Sequence, residues 1–244
     1  MRASGGGMTQ YAWNAAKNRA ELRIAANATD QFIWNADPAF KADHTFPCLW
    51  EDGTNQALHV DGGLFLRTVV GAGSFPLLTG LHGGISSVTG VLLSDYCLMR
   101  GGGPAGVAYC YNVSEDINAC FRFRLPNVGD LVNHVVLIGF QYDANNYIGM
   151  LYDSTVDANW RFVTRAAAAS TPTIIVPGDT AWHTVYMVLS ADSCKCIYDG
   201  AATVTHTTNI PANNLCIYLM NQNQTVGNAM YLECQRIKVV QDAP

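Results

Sequence analysis

The stretch that decides the fold is His134-Val135-Val136-Leu137-Ile138-Gly139-Phe140-Gln141-Tyr142-Asp143-Ala144-Asn145-Asn146-Tyr147-Ile148-Gly149-Met150-Leu151-Tyr152-Asp153. Two apolar runs, His134 to Tyr142 and Asn146 to Asp153, flank the turn cluster Asp143-Ala144-Asn145-Asn146, which reads as strand, turn, strand. Just upstream, Phe121, Phe123 and Leu125 alternate with Arg122 and Arg124, the period-two signature of a half-buried strand with an arginine-bearing outer face. Downstream the spacing predicts strands at Asn159–Arg165, Thr173–Val176, Trp182–Ala191, Cys194–Tyr198, Ala202–Thr207, Leu215–Met220 and Met230–Val240. Asp199-Gly200 marks a hairpin, because a type I′ turn needs positive φ at both central residues. About ten short strands with no helices between them predict an antiparallel sandwich or barrel and exclude Rossmann and TIM arrangements.

Ahead of these strands the pattern differs. Residues 9 to 28, with Thr9 as cap, many alanines and Trp13, Leu22 and Ile24 as anchors, read as the single helix of the chain. The glycine-rich region from Gly71 to Gly106 reads as long loops holding one strand, Gly90 to Met99. The expected organisation is a helical arm over 1–28 and a β-sandwich over 29–244.

Composition narrows the function. Of 244 residues 49% are hydrophobic and only 14% are charged, which excludes disorder. The formal net charge is −5 with no clustered Lys and Arg, so nucleic acid is not an expected partner. Apolar runs are broken well before the roughly 18–20 residues that span a bilayer, so membrane insertion is not expected. No secretory signal follows Met1-Arg2. The eight cysteines therefore read as reduced, buried thiols, with Cys194 and Cys196 on one face of a strand. His44 and Cys48 form the nearest pair of metal-ligand types, too little for zinc.

Several runs resemble concanavalin A-like lectin/glucanase jelly rolls. They are Ile138-Gly139-Phe140-Gln141-Tyr142-Asp143, Asn146-Tyr147-Ile148, Trp160-Arg161-Phe162, Trp182-His183-Thr184-Val185, Ile197-Tyr198-Asp199-Gly200, Asn209-Ile210-Pro211 and Met230-Tyr231-Leu232-Glu233. The resemblance implies an all-β, antiparallel jelly-roll β-sandwich over roughly residues 108–240. It also implies one of three roles: glycan-binding lectin, glycoside hydrolase, or non-catalytic module on a bacteriophage or viral particle.

The glucanase strand pattern E-x-D-x-x-E is absent, and the four glutamates (Glu21, Glu51, Glu115, Glu233) are scattered, so no enzyme is expected. Glycan contacts are expected from Tyr142, Asn145, Asn146, Tyr147, Trp160 and Arg161, as stacking rings beside hydrogen-bonding groups. Trp182 is expected in the core. No cofactor is expected beyond calcium, which lectins of this class use. Asp143, Asp153, Asp157 and Glu233 are its candidate oxygen ligands, with turn formation as the alternative reading of the aspartates. The expected function is a structural or decorating component of a virus-like particle, on the virion surface after synthesis in host cytoplasm. Copies of itself, other particle proteins and cell-surface glycans are the expected partners. A carbohydrate-binding lectin module is the alternative.

Overall fold

The computed structural model describes residues 9–14, 19–24, 33–36, 65–76, 85–101 and 111–241. Its strands in chain order are β1 (Thr9–Asn14), β2 (Arg19–Ile24), β3 (Ile33–Ala36), β4 (Phe65–Val70), β5 (Ile85–Val88), β6 (Tyr96–Gly101), β7 (Ile117–Arg124), β8 (His134–Asp143), β9 (Asn146–Asp153), β10 (Asp157–Ala166), β11 (Ala169–Pro177), β12 (His183–Leu189), β13 (Cys194–Tyr198), β14 (Ala202–His206), β15 (Cys216–Asn223) and β16 (Tyr231–Gln241). They form a seven-stranded sheet β11-β10-β9-β8-β15-β6-β4, a six-stranded sheet β14-β13-β12-β7-β16-β5, and a small sheet β1-β2-β3. The two large sheets make an antiparallel β-sandwich, the all-β class expected from the sequence.

Alternation along each strand builds the core. β7 sends Phe121 and Phe123 inward, β8 Val136, Ile138 and Phe140, β9 Ile148, Met150 and Tyr152, and β10 Trp160 and Phe162, all buried in one cluster. Arg122 and Arg124 point out as expected, onto Gln235 and Glu233. The six described cysteines are buried thiols, with Cys194 and Cys196 on the inner face.

A buried polar tie joins the sheets. His134 of β8 meets Asn221 of β15 (Nε2 to Oδ1, 2.5 Å), and the Asn221 amide donates to the carbonyls of Ser87 (2.6 Å) and Met230 (3.1 Å) on the opposite side. Every polar atom brought inside by this tie has a partner, as burial requires.

Three expectations are corrected. Where a helix is expected over 9–28, the described residues 9–14 and 19–24 form the antiparallel pair β1–β2, with Tyr11 opposite Leu22 and Trp13 opposite Ala20. Alanine content favoured a helix, but Arg19-Ala20-Glu21-Leu22-Arg23-Ile24 alternates with period two, and pairing overrides propensity. The strand expected over Gly90–Met99 begins only at Tyr96, as β6; the residues before it form a turn that leads from β5, where Asp95 accepts from the Leu92 N–H (3.0 Å) and Ser94 has φ 68°. Trp182 precedes β12, whose inward residues are His183, Val185 and Met187. It therefore falls outward, where the guanidinium carbon of Arg124 lies 4.7 Å from its ring centroid.

Candidate functional site

The side of the seven-stranded sheet turned away from the core carries a second apolar layer of Leu98, Leu137, Tyr147, Val163 and Tyr218. The central cross-strand row runs Val163, Gly149, Gly139, Tyr218, Arg100 over β10, β9, β8, β15 and β6. Gly149 and Gly139 put two residues without side chains between Val163 and Tyr218; all four are buried, whereas Gln141, Arg100 and Arg165 beside them are half-buried. The strands are pressed so closely that a Cβ on Gly139 would lie 2.6 Å from the Gly149 Cα. Glycine within a strand marks such places of close approach, by backbone or by ligand.

Polar groups frame this glycine pair. The next row runs Arg165, Tyr147, Gln141, Cys216. Guanidiniums lie over both tyrosines, Arg165 at 5.8 Å from the Tyr147 centroid and Arg100 at 6.0 Å from that of Tyr218. Burial pushes the Tyr218 phenol up, more than the Arg100 charge and a Gln141 hydrogen bond pull it down. Tyr218 is therefore a neutral donor at physiological pH. The Nε atoms of Arg100 and Arg165 are buried with no hydrogen-bond partner. The carboxylates that alternation puts on this face, Asp153 and Asp157, are cross-strand partners at its far end.

Among the residues expected to bind glycan, the structure gathers Tyr147, Asn145 and Arg161 on or beside this face. Asn145 Oδ1 accepts from Arg165 Nη2 at 3.4 Å, and Arg161 is ion-paired with Asp157. Asn146 serves the hairpins: its amide donates to Asp143 (2.9 Å) and its Oδ1 accepts from the Ala167 N–H (3.1 Å). Tyr142 is exposed just past the core. Trp160 is corrected: it is fully buried between Phe123 and Tyr152, with centroids at 4.9 and 5.2 Å, and offers no platform. Parity within β10 puts Trp160 on the core side and Arg161 on the other.

The proposed calcium ligands do not converge. Asp143 accepts from the Asn145 N–H (2.7 Å) and Asp153 from the Thr155 N–H (3.0 Å), each closing a local turn. Asp157 is held by Arg161, whose hydrogen bond keeps its carboxyl below the usual range. Glu233 lies on the other sheet, 2.6 Å from Arg124. No group of three or more metal-ligand side chains occurs among the described residues. His44 and Cys48 fall outside them. A cleft of about 520 Å³ brings Glu233 near Asp130. Both oxygens of Asp130 are already committed, to the Tyr231 N–H and to Asn127.

Sequence reasoning missed Arg100, Gln141, Arg165 and Tyr218. The signal was present: Gly139 and Gly149 interrupt otherwise apolar strands, and Gln141 and Tyr147 lie two residues from them on the same face.

No family model matches this chain, and no curated protein matches it in sequence. Solved structures do resemble it. An alginate lyase from Corynebacterium sp. superposes with a TM-score of 0.55 at 12% identity, covering 80% of this chain and 99% of that one. The Bacillus licheniformis β-glucanase gives 0.53 at 13%, covering 73% and 92%. The binding domain of botulinum neurotoxin DC, solved with rat synaptotagmin II, gives 0.51 at 8%, covering 74% and 44%. The fold is thus the concanavalin A-like jelly roll. At such identities the likeness shows architecture alone.

Proposed function

We propose that the protein is a carbohydrate-binding jelly-roll module that holds a glycan across the outer face of the seven-stranded sheet without cleaving it. The observation that carries this is the glycine pair between Val163 and Tyr218, framed by Gln141, Arg100, Tyr147 and Arg165. An apolar floor with a few placed polar groups is what a sugar ring needs, since its faces are apolar and its edge is hydroxylated. Two structural neighbours bear the names of polysaccharide-degrading enzymes, alginate lyase and β-glucanase. Binding without cleavage is favoured by the carboxylates of this face: Asp157 is tied to Arg161, which leaves no free pair for acid–base hydrolysis there among the described residues.

Glycan arrays followed by titration calorimetry test this reading. Binding should be lost on Tyr218→Ala and kept on Trp182→Ala, which alters the opposite sheet. Arrays silent across broad panels would sink the proposal. New reducing or unsaturated chain ends from any bound polysaccharide would overturn its non-catalytic part.

A second reading, a decorating component of a virus-like particle, has separate support. Nine of the thirteen exposed large apolar side chains among the described residues lie at one end of the sandwich: Val69 and Val70 at the end of β4, and Val91, Leu92, Leu93, Val128, Val132, Val156 and Val226 in the neighbouring connections. Backbone bonds from Gly227 to Val91, from Ser94 to Asn223 and from Gln224 to Asn133 hold several of these loops together. Such a patch fits a surface covered by neighbours. A mass-spectrometric inventory of a purified particle tests it, and absence of the chain there would refute it.

A further inference from the structure

We infer that the ligand of this face is an acidic polysaccharide, whose carboxylate or sulfate groups are received by Arg100 and Arg165. The inference rests on the glycan-binding reading and adds the chemical class of the sugar.

Three other arginines whose side chains are described are provided for. Arg124 pairs with Glu233, Arg161 with Asp157, and Arg122 donates to Gln235. Arg100 and Arg165 alone among these combine a buried, unpartnered Nε with the lack of any carboxylate among the described residues. A guanidinium carries five N–H donors and no acceptor, and leaving such donors buried and unpaired is costly. Both charges lie over tyrosine rings, Tyr218 and Tyr147, which hold a planar fork in place without neutralising it. A carboxylate or sulfate would take two N–H donors of one guanidinium at once, the strongest arrangement open to it.

The placement indicates the ligand's extent. Arg165 is on β10 and Arg100 on β6, four strand spacings away, so their backbones are roughly 20 Å apart. The glycine pair and Tyr218 lie between them. One small anion cannot serve both sites, whereas an extended chain with repeated acidic groups can. Asp153, two residues beyond Leu151, and its cross-strand partner Asp157 stand clear of the central row, so among the described residues no carboxylate lies in that row. The full chain bears a net charge of −5, so this cationic pair runs against the overall balance.

Calorimetric titration of the full chain with three probes tests the inference: a polyuronate oligosaccharide, a sulfated oligosaccharide and a neutral β-glucan of equal length. One or both acidic probes should bind, with affinity falling as salt rises. Arg100→Gln and Arg165→Gln should each weaken that binding roughly ten- to hundredfold, and Arg122→Gln should leave it unchanged. The preferred acidic probe separates carboxylate from sulfate. Neutral glucan bound as tightly as the acidic probes, without salt dependence, would overturn this inference while leaving the glycan reading intact. Failure of all three, with arrays also silent, would overturn both. The comparison among probes uses the unaltered protein and does not depend on how the variants fold.

Discussion

The hairpin between β10 and β11 turns on Ala167 and Ala168, with φ of 48° and 72°. Both lie in the left-handed region, which costs a residue bearing Cβ about 1–2 kcal/mol. The turn persists because neighbouring groups hold it: the Ala167 N–H donates to Asn146 Oδ1 (3.1 Å) and the Ala168 N–H to the Asn145 carbonyl (3.3 Å). Neither bond needs an alanine side chain. Glycine at 168 escapes the left-handed cost but gives back about 0.4–1 kcal/mol through the greater freedom of the unfolded chain, a net gain of about 0.5–1 kcal/mol. Asparagine at 167 tolerates the same region and adds a few tenths. The double variant Ala167→Asn/Ala168→Gly should therefore gain about 1 kcal/mol, raising Tm by roughly 2–4 °C. The Asp199-Gly200 turn supplies the mirror test. Gly200 has φ 70° and open space around its missing Cβ, so Gly200→Ala should lower Tm by a similar amount for conformational reasons alone. Circular-dichroism melts with a parallel urea titration measure both. A double variant no more stable than the parent, beside a destabilised Gly200→Ala, would refute the reasoning.

Four further outcomes are expected. Burial holds the His134 and His206 imidazoles below the ordinary value of 6.5. The unfolded chain thus binds protons that the folded chain refuses, so their contribution is complete above about 6.5 and lost as pH falls below it. Melts between about pH 7.5 and 5.5 should show Tm declining, less steeply in His206→Gln. Trp160→Ala empties a fully buried site between Phe123 and Tyr152 and should cost about 3–5 kcal/mol by urea midpoint. Gly139→Ala, which meets the backbone of β9, should cost about 1–3 kcal/mol. Gly129→Ala, with nothing within 4 Å, should shift stability by less than about 0.5 kcal/mol.

The sandwich was legible wherever side chains alternated between turn residues. Strands β9 and β13 have the bounds read from sequence, and Asp199-Gly200 turns as its dipeptide requires. Legibility failed where that chemistry was missing or misleading. Ala166 to Ala169 contains no turn former, so nothing in the sequence marked a hairpin held by Asn145 and Asn146 from another loop. Alanines masked the alternation of β2. By residue type, aromatics near the turns look like sugar platforms, whereas parity decides: Trp160 and Tyr147 are both aromatic and face opposite sides of one sheet. The framing arginine and tyrosine of β6 and β15 were unreadable as a pair, because 118 positions separate Arg100 from Tyr218 and only the register joins them.

The buried cysteines bear on where this fold can exist. Burial pushes the Cys194 and Cys196 thiols up to about 12 and Cys216 to about 11. Oxidation and disulfide exchange proceed through the thiolate, which these groups scarcely populate near neutral pH, and no solvent reaches them to carry a reagent. The described sandwich therefore needs neither an oxidant to complete it nor a reductant to preserve it. These three thiols can pass from a reducing to an oxidising milieu, or stand in air during purification, chemically unchanged.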